Sequence, residues 1–444
     1  MTYENIKSAI LTLLVVTSVV LTWNLWTYQP RYATMENSNT VQEVAFSEDK
    51  EIQEIIQPNK IIYHFKESHF GTTSSDEIDQ ALQEIFRWSF YDFEDISEDV
   101  GKLSEFVHAK GNVEIIFPDA VPIDLYKSIL HVEDKKIPNF NFNRIVIDIE
   151  DNTKDEGNVY FVHYGNSKYH QVFASHISGE DLKKFDHQFY RVSNQYENYF
   201  PYQITEERTI FLPEKKATLI HYQYFLDQLD PEQFKDAIFN DPSYVQRNDE
   251  GNTVEYIDDS SMLTVNYDSL LLSYVIPAEK NEGEQRSKEL LKKGINYVNE
   301  HGGWTGDFKY ASIDEENQQV TFRLYDRNGY PIFNDQGLSQ IIQIWGQNDI
   351  YKYNRPIFSL DVPLTTDKKE VTLESSSEVI EFLKSKKGFK PELLKDIAIG
   401  YQMSMDPNEP QLMNLEPAWF YQYGNLWIQV VQKDVVGGDN NGLE

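Results

Sequence analysis

The sequence predicts an α+β protein with a single N-terminal transmembrane helix followed by an elongated multi-domain extracytoplasmic body of antiparallel sheets and packed helices. Three observations lead there. One uncharged apolar run, Ser8 to Gln29, is long enough to cross a membrane. The remainder is dominated by short segments of alternating or continuous apolar residues bounded by turn residues, the pattern of strands. In the later part, a helical pattern followed by a meander of strands occurs twice.

The chain has 444 residues, with 40 Lys+Arg against 72 Asp+Glu, a formal charge of −32 and no cysteine. At roughly 150 residues per domain the length allows about three domains. A content of 40% hydrophobic and 14% aromatic residues is ample for packed cores, so this is not a disordered acidic chain. Without cysteine there is no disulfide, no thiolate nucleophile and no Cys-based zinc, iron–sulfur or haem site. The acidity repels phosphate backbones, which excludes nucleic acid as an expected partner and disfavours peripheral binding to anionic lipid.

The segment Ser8 to Gln29 has 22 residues. At 1.5 Å rise it spans roughly 33 Å, enough for a hydrocarbon core of about 30 Å. Its apolar core, Ile10 to Leu21, is followed by Thr22-Trp-Asn-Leu-Trp-Thr-Tyr28 and then Pro30 without a small-x-small cleavage pattern, which reads as an uncleaved anchor. Trp23, Trp26 and Tyr28 sit where an interfacial aromatic belt would lie. Lys7 and Arg31 nearly balance, but too little chain precedes Lys7 to fold, and all that follows Arg31 is acidic and cysteine-free. The expected topology is N-terminus cytoplasmic, body extracytoplasmic, in the cell membrane by one helix. On that helix Leu11, Leu14, Ser18, Leu21 and Leu25 form one stripe, and Ser8, Thr12, Val15, Val19, Thr22 and Trp26 form a second, richer in small residues. Small and hydroxyl residues permit close helix approach. Any apolar helix of this length yields some such stripe, so spacing alone does not assign these residues a partner.

Residues 1–30 are therefore a short cytoplasmic start and the anchor, and 31–58 an acidic linker with a short helix near its end. An N-terminal domain is expected over 59–204. In it, Ile61-Ile-Tyr-His-Phe65 and Val113-Glu-Ile-Ile-Phe117 read as strands, the second stopping at Pro118. Between them Ser75-Asp76 opens a helix carrying Ile78, Leu82, Ile85 and Phe86. Arg144-Ile-Val-Ile-Asp-Ile149 and Asn158-Val-Tyr-Phe-Val-His163 form a hairpin with a long tip. A central domain spans 205–283: Pro231 opens a helix with Phe234, Ala237, Ile238 and Phe239, and strands follow at 253–257, 262–267 and 270–276. The C-terminal domain, 284–436, carries a weak internal duplication. A helix through Leu290, Leu291, Ile295 and Val298 stops at His301-Gly302-Gly303; strand 320–325, the turn Asp326-Arg-Asn-Gly329 and Tyr330-Pro-Ile-Phe333 come next. A second helix, with Val379, Ile380 and Leu383, precedes strands near 397–401, 419–423 and 426–431. Residues 437–444 form a flexible tail.

No motif for catalysis is present: there is no G-x-S-x-G, H-E-x-x-H or Walker loop. His64 with His69, and His163 with His170, are the nearest approaches to histidine pairs, and neither spacing is diagnostic. The carboxylate clusters Asp148-Ile-Glu-Asp151, Asp258-Asp259 and Asp314-Glu-Glu316 fail the calcium-loop pattern, since from Asp151 the third and sixth positions are Thr153 and Glu156. No catalytic residue, metal site or cofactor is expected.

Placed in order, Glu4-Asn-Ile-Lys-Ser8 leading into the anchor, Pro231-Glu-Gln-Phe-Lys-Asp-Ala-Ile-Phe-Asn-Asp-Pro242, His301-Gly-Gly-Trp304, Tyr330-Pro-Ile-Phe333 and Leu415-Glu-Pro-Ala-Trp-Phe420 resemble the YycH (WalH) family of Gram-positive bacteria. The resemblance spans essentially the whole chain. It implies a non-enzymatic regulator that associates with the sensor histidine kinase WalK (YycG) of the WalK/WalR (YycG/YycF) system and with the companion YycI, and so bears on cell-wall homeostasis. It also implies that the later part is YycI-like and that the transmembrane residues above carry the partner contact. Two other readings stand beside it: an envelope ligand-binding sensor module, and a wall hydrolase using paired carboxylates.

Overall fold

The computed structural model describes residues 18, 49–150, 155–165, 170–280, 284–364 and 369–431. Ser18 is the one described residue of a first unit, Met1–Glu43; the others belong to a second, Val44–Glu444. The segment Ser8 to Gln29, except Ser18, most of the acidic linker and the tail 437–444 lie outside the described residues. Among those described, no helix is long and apolar enough to cross a membrane.

The second unit is α+β and almost wholly antiparallel, as the sequence predicts. Its strands form three sheets. The first has ten strands, in the order Arg208–Pro213, Glu197–Thr205, His69–Thr72, Lys60–His64, Asn112–Pro122, Asn141–Asp148, Glu156–His163, Gln171–Ser178, Ser89–Asp95 and His131–Val132. The two apolar runs read as strands become neighbours, with Ile61 opposite Ile115 and Tyr63 opposite Val113. Pro118 does not end the second of them. Its pairing with Asn141–Asp148 breaks between Ile116 and Val121 and resumes at Val121–Phe142, so the prolyl nitrogen, which has no N–H, falls in a bulge that needs no ladder bond. Helix Ser75–Ile85 buries Ile78, Ala81, Leu82 and Ile85, the spacing of a single helical face.

The second sheet has eight strands: Gln246–Glu250, Thr253–Ile257, Met262–Asn266 and Leu271–Val275, continued by Ile350–Pro356, Gln340–Trp345, Gln319–Leu324 and Phe308–Asp314. The third is built around Leu394–Met405 and Leu412–Tyr423, flanked by Thr218–Gln228, Phe358–Pro363 and the two-residue Ile332–Phe333. The turn at Asp326 forms, with Asp326 Oδ1 accepting from the amides of Asn328 and Tyr330, but the expected hairpin does not continue. After a single bridge between Tyr325 and Pro331, Ile332–Phe333 crosses to the third sheet and pairs in parallel with Tyr401 and Gln402. Burial of Phe333 against Phe420, with ring centroids 4.0 Å apart, outweighs the local turn preference.

One continuous apolar core runs through all three sheets, from Ile61 and Phe117 through Leu290 and Tyr310 to Leu394 and Trp419. Tyr310 fastens the sheets further by donating to the Ala120 carbonyl at 2.7 Å. The His301-Gly-Gly-Trp304 motif ends helix Ser287–Glu300. Gly302 and Gly303 take positive φ, and the Gly303 amide returns to the Val298 carbonyl. Trp304 is thereby buried against Phe322 and donates to Asn299 Oδ1. Asn299 in turn grips the main chain of Lys50 at both its N–H (3.2 Å) and its C=O (3.1 Å), while Lys50 Nζ reaches the Gly306 carbonyl and Asp307. The short helix Ile52–Ile55 follows, and Ile55 and Ile56 are fully buried.

Candidate functional site: a buried histidine and carboxylate cluster

Of the residues expected to span the membrane and meet a partner, Ser8, Leu11, Thr12, Leu14, Val15, Val19, Leu21, Thr22, Leu25 and Trp26 lie outside the described residues; Ser18 is helical and exposed. Among the described residues, a dense set of chemically active side chains lies in the ten-stranded sheet. Strand periodicity explains how it assembles. On Lys60–His64, Ile61 and Tyr63 face the main core, so Ile62 and His64 face away from it. Ile62 pairs with Glu114 and Ile116 pairs with Arg144, which puts the carboxylate and the guanidinium on the face of His64. His69 lies directly opposite His64 across the hairpin. His108 arrives from the end of helix Leu103–Val107.

These side chains bond to one another. His64 Nδ1 is 2.9 Å from His69 Nδ1, and His64 Nε2 is 3.3 Å from Glu114 Oε2. Arg144 Nε donates to Glu114 Oε1 at 2.7 Å, and His108 Nε2 stands 3.7 Å from Glu114 Oε2. Phe211 from the edge strand covers the group, its ring centroid 4.9, 4.8 and 4.8 Å from those of His64, His69 and His108. The cover closes because the sheet rolls back on itself. Tyr164, just past the seventh strand in the order, accepts from the Thr209 amide at 2.9 Å, and Thr209 is in the first strand. Gly71 sits where the roll is tight: a Cβ there would lie 2.6 Å from Ile62 Cδ1 and 2.9 Å from Tyr199.

Burial sets the electrostatics. It opposes ionisation of Glu114, but the His64 hydrogen bond and the charges of His108 and Arg144 outweigh it and hold the carboxyl down to about 2. Burial lowers His108 to about 4, against the pull of Glu114 and helped by His64 and Arg144. Burial and then His64 lower His69 to about 4. At neutral pH the cluster holds one carboxylate, one guanidinium and neutral imidazoles at His69 and His108. Both carboxylate oxygens are engaged and the imidazoles face one another, so the arrangement is buried and charge-balanced.

Of the two nearest approaches to histidine pairs in the sequence, the structure joins His64 to His69. In the other, the His170 ring reaches the Val100 carbonyl at 3.3 Å, and burial lowers the pKa of His163. His108, Glu114 and Arg144 carry no motif. The one available signal was Glu114 itself, a lone carboxylate inside the apolar run Val113-Glu-Ile-Ile-Phe117. The acidic clusters serve turns and caps. Asp258 accepts from Ser260 and Ser261, Asp314 accepts from Asn317, and Glu315 accepts from the Ser287 amide at the start of helix Ser287–Glu300. Among the described residues no group of three or more His, Asp or Glu is placed to hold a metal ion.

Comparisons with known proteins agree with this architecture. Residues 4–197 match the family model for the YycH protein N-terminal domain, and residues 207–435 that for the YycH protein C-terminal domain. The Two-component system WalR/WalK regulatory protein YycH of Bacillus subtilis (strain 168) is 25% identical over a 464-residue alignment covering 99% of each chain. The crystal structure of YycH from Bacillus subtilis matches with a TM-score of 0.72 over 87% of this chain and 98% of that one, at 20% identity, which is a likeness of fold. With both halves matched in order, the chain belongs to the YycH family.

Proposed function

We propose that this protein is a non-enzymatic regulator of a WalK/WalR-type two-component system, anchored in the cell membrane by residues 8–29 with its body outside the cytoplasm. The observation that carries the reading is the end-to-end similarity to a relative named as a regulatory protein of that system. In this reading the two stripes of the anchor, Leu11, Leu14, Ser18, Leu21 and Leu25 on one side and Ser8, Thr12, Val15, Val19, Thr22 and Trp26 on the other, pack against helices of the sensor kinase WalK and of the companion YycI. A bound helix shifts the kinase between signalling states only through a difference in affinity for those states, so the contact must be state-selective.

The test is a full-length chain in which residues 8–29 are replaced by an unrelated transmembrane helix of equal length. The expected outcome is loss of kinase crosslinking and of any effect on kinase output while the protein stays membrane-bound and folded. Undiminished association of the exchanged chain would overturn the helix mechanism and move the contact to the body.

A further inference from the structure

The strand Arg208–Pro213 stands between two sheets. It pairs with Glu197–Thr205 to close the roll of the ten-stranded sheet, and beyond Pro213 the chain runs into Thr218–Gln228 of the third. Its two ends are held by later parts of the chain. The Arg208 guanidinium donates to the Lys395 carbonyl, and the Pro213 carbonyl accepts from Ser376 Oγ at 2.5 Å. Its middle is held by the ten-stranded sheet. The Tyr164 hydroxyl accepts from the Thr209 amide and donates to the Thr209 carbonyl at 3.4 Å, and Lys60 Nζ donates to the Phe211 carbonyl, also at 3.4 Å. Successive side chains take opposite faces: Ile210 and Leu212 enter the main core, whereas Phe211 lies over the histidines with Ile62, Ile116 and Tyr199.

Beneath Phe211 positive charge has little counterweight. Glu114 is the one carboxylate of the cluster, and Arg144, His64 and His108 already share it. The covering strand brings Arg208, which Arg144 repels and Asp396 of Leu394–Met405 attracts. Lys60 adds a further cation, and Arg144 also acts on His163. The Tyr190 hydroxyl donates to the His64 carbonyl at 2.9 Å, and at the rim Glu206 and Glu207 act on Lys102. Tyr164, pushed up to about 12 by burial, stays uncharged. Burial likewise keeps His69 and His108 uncharged at neutral pH. A proton on either ring therefore places a new cation near Arg144 and Arg208, in a space that Phe211 closes to water.

We propose that Arg208–Pro213 is an acid-sensitive seam: protonation of the imidazoles beneath Phe211 parts the strand from Tyr164 and Lys60, while its end contacts to Lys395 and Ser376 persist. Hydration drives the opening, since an imidazolium needs the water that the closed seam excludes. The motion is local. It breaks the bonds to Tyr164 and Lys60 and lifts Phe211, while Ile210 and Leu212 and the pairing with Glu197–Thr205 keep the strand in place. Because the strand ends stay fixed to Lys395 and Ser376, the displacement is passed to Leu394–Met405 and to helix Ser376–Ser385. The seam requires neither the anchor nor its kinase contact, and neither takes part in its test.

The test is native-state hydrogen exchange of the full-length chain in neutral detergent, read at the Thr209 amide relative to an unstructured chain at the same pH. Protection of Thr209 is expected to fall about tenfold between pH 7.5 and pH 5, because opening takes up protons. Its exchange should be insensitive to about 1 M urea, whereas the slowest amides of Leu412–Tyr423 exchange more slowly and accelerate with urea, as whole-body unfolding requires. His108→Phe should reduce the pH response of Thr209 to about threefold, and His108→Phe with His69→Phe should abolish it. Should a phenylalanine variant unfold, glutamine takes its place at the same position. Unchanged protection of Thr209 between the two pH values overturns the proposal. So does a urea response at Thr209 equal to that in Leu412–Tyr423, or the full tenfold change persisting in a folded variant without His69 and His108.

Discussion

Glu114 shows how a single side chain can decide the character of a sheet. Replacing it with glutamine keeps its volume but leaves the Arg144 guanidinium buried without its counter-charge. Such losses cost about 3–5 kcal/mol, so Glu114→Gln should lower the urea midpoint strongly. The imidazoles give a pH signature of definite sign. His108 titrates near 6.5 in the unfolded chain and near 4 in the folded one, so between these values the unfolded state holds more protons. Stability contributed by the neutral ring is therefore complete above pH 6.5 and is lost as pH falls toward 4, on the order of 3 kcal/mol for a ring this deeply buried. His69 acts in the same direction but is less enclosed and contributes less. Loss of Glu114 ionisation adds to the decline between 4.5 and about 2. Denaturant titrations from pH 8 to pH 4 should show this slope, and His108→Phe should flatten it; an unchanged slope would mean that the ring does not titrate with folding. Gly71→Ala, which drives a methyl group into Ile62 and Tyr199, should cost about 1–3 kcal/mol in the same measurement.

At the scale of the element, helices were the most legible part of the sequence. Pro231–Ile238 begins where Pro231 predicts, with Asp230 capping the Glu232 amide, and Ser287–Glu300 ends at its Gly-Gly pair. Ser376–Ser385 opens with a full capping box between Ser375 and Glu378. Ser375→Ala should weaken that helix by about 1 kcal/mol, seen as faster amide exchange confined to its first turn. The strands at Thr253–Ile257, Met262–Asn266 and Leu271–Val275 were readable because turn residues bracket each one. Others were not. Thr218–Gln228 carries His221, Gln223 and Asp227 among its aromatics and is held by Leu412–Tyr423 far along the chain, while Gln340–Trp345, reading Gln-Ile-Ile-Gln-Ile-Trp, lacks a strict alternation; neither has a strong boundary. The same distance concealed the histidine cluster. His64 and His69 are five residues apart, but Glu114 and Arg144 join them only through register across Asn112–Pro122 and Asn141–Asp148.

For the molecule as a whole, the decisive feature is the continuity of its core. Three sheets that share one apolar interior have no independent stability to lose in turn. Calorimetry of a protein lacking residues 1–48 should accordingly give one cooperative transition for the body, and two resolved transitions would show that the sheets unfold separately. The grip of Asn299 on Lys50 has a mechanical consequence. Among the described residues, the first bonds to bear a pull along the chain from its N-terminal side are those of Lys50 to Asn299, Gly306 and Asp307. Asn299 is braced by Trp304, so the load passes into the eight-stranded sheet before the ten-stranded sheet, whose first strand starts only at Lys60, feels any of it. The glycine-tryptophan motif is thus the coupling through which a pull becomes a strain on the far half of the chain.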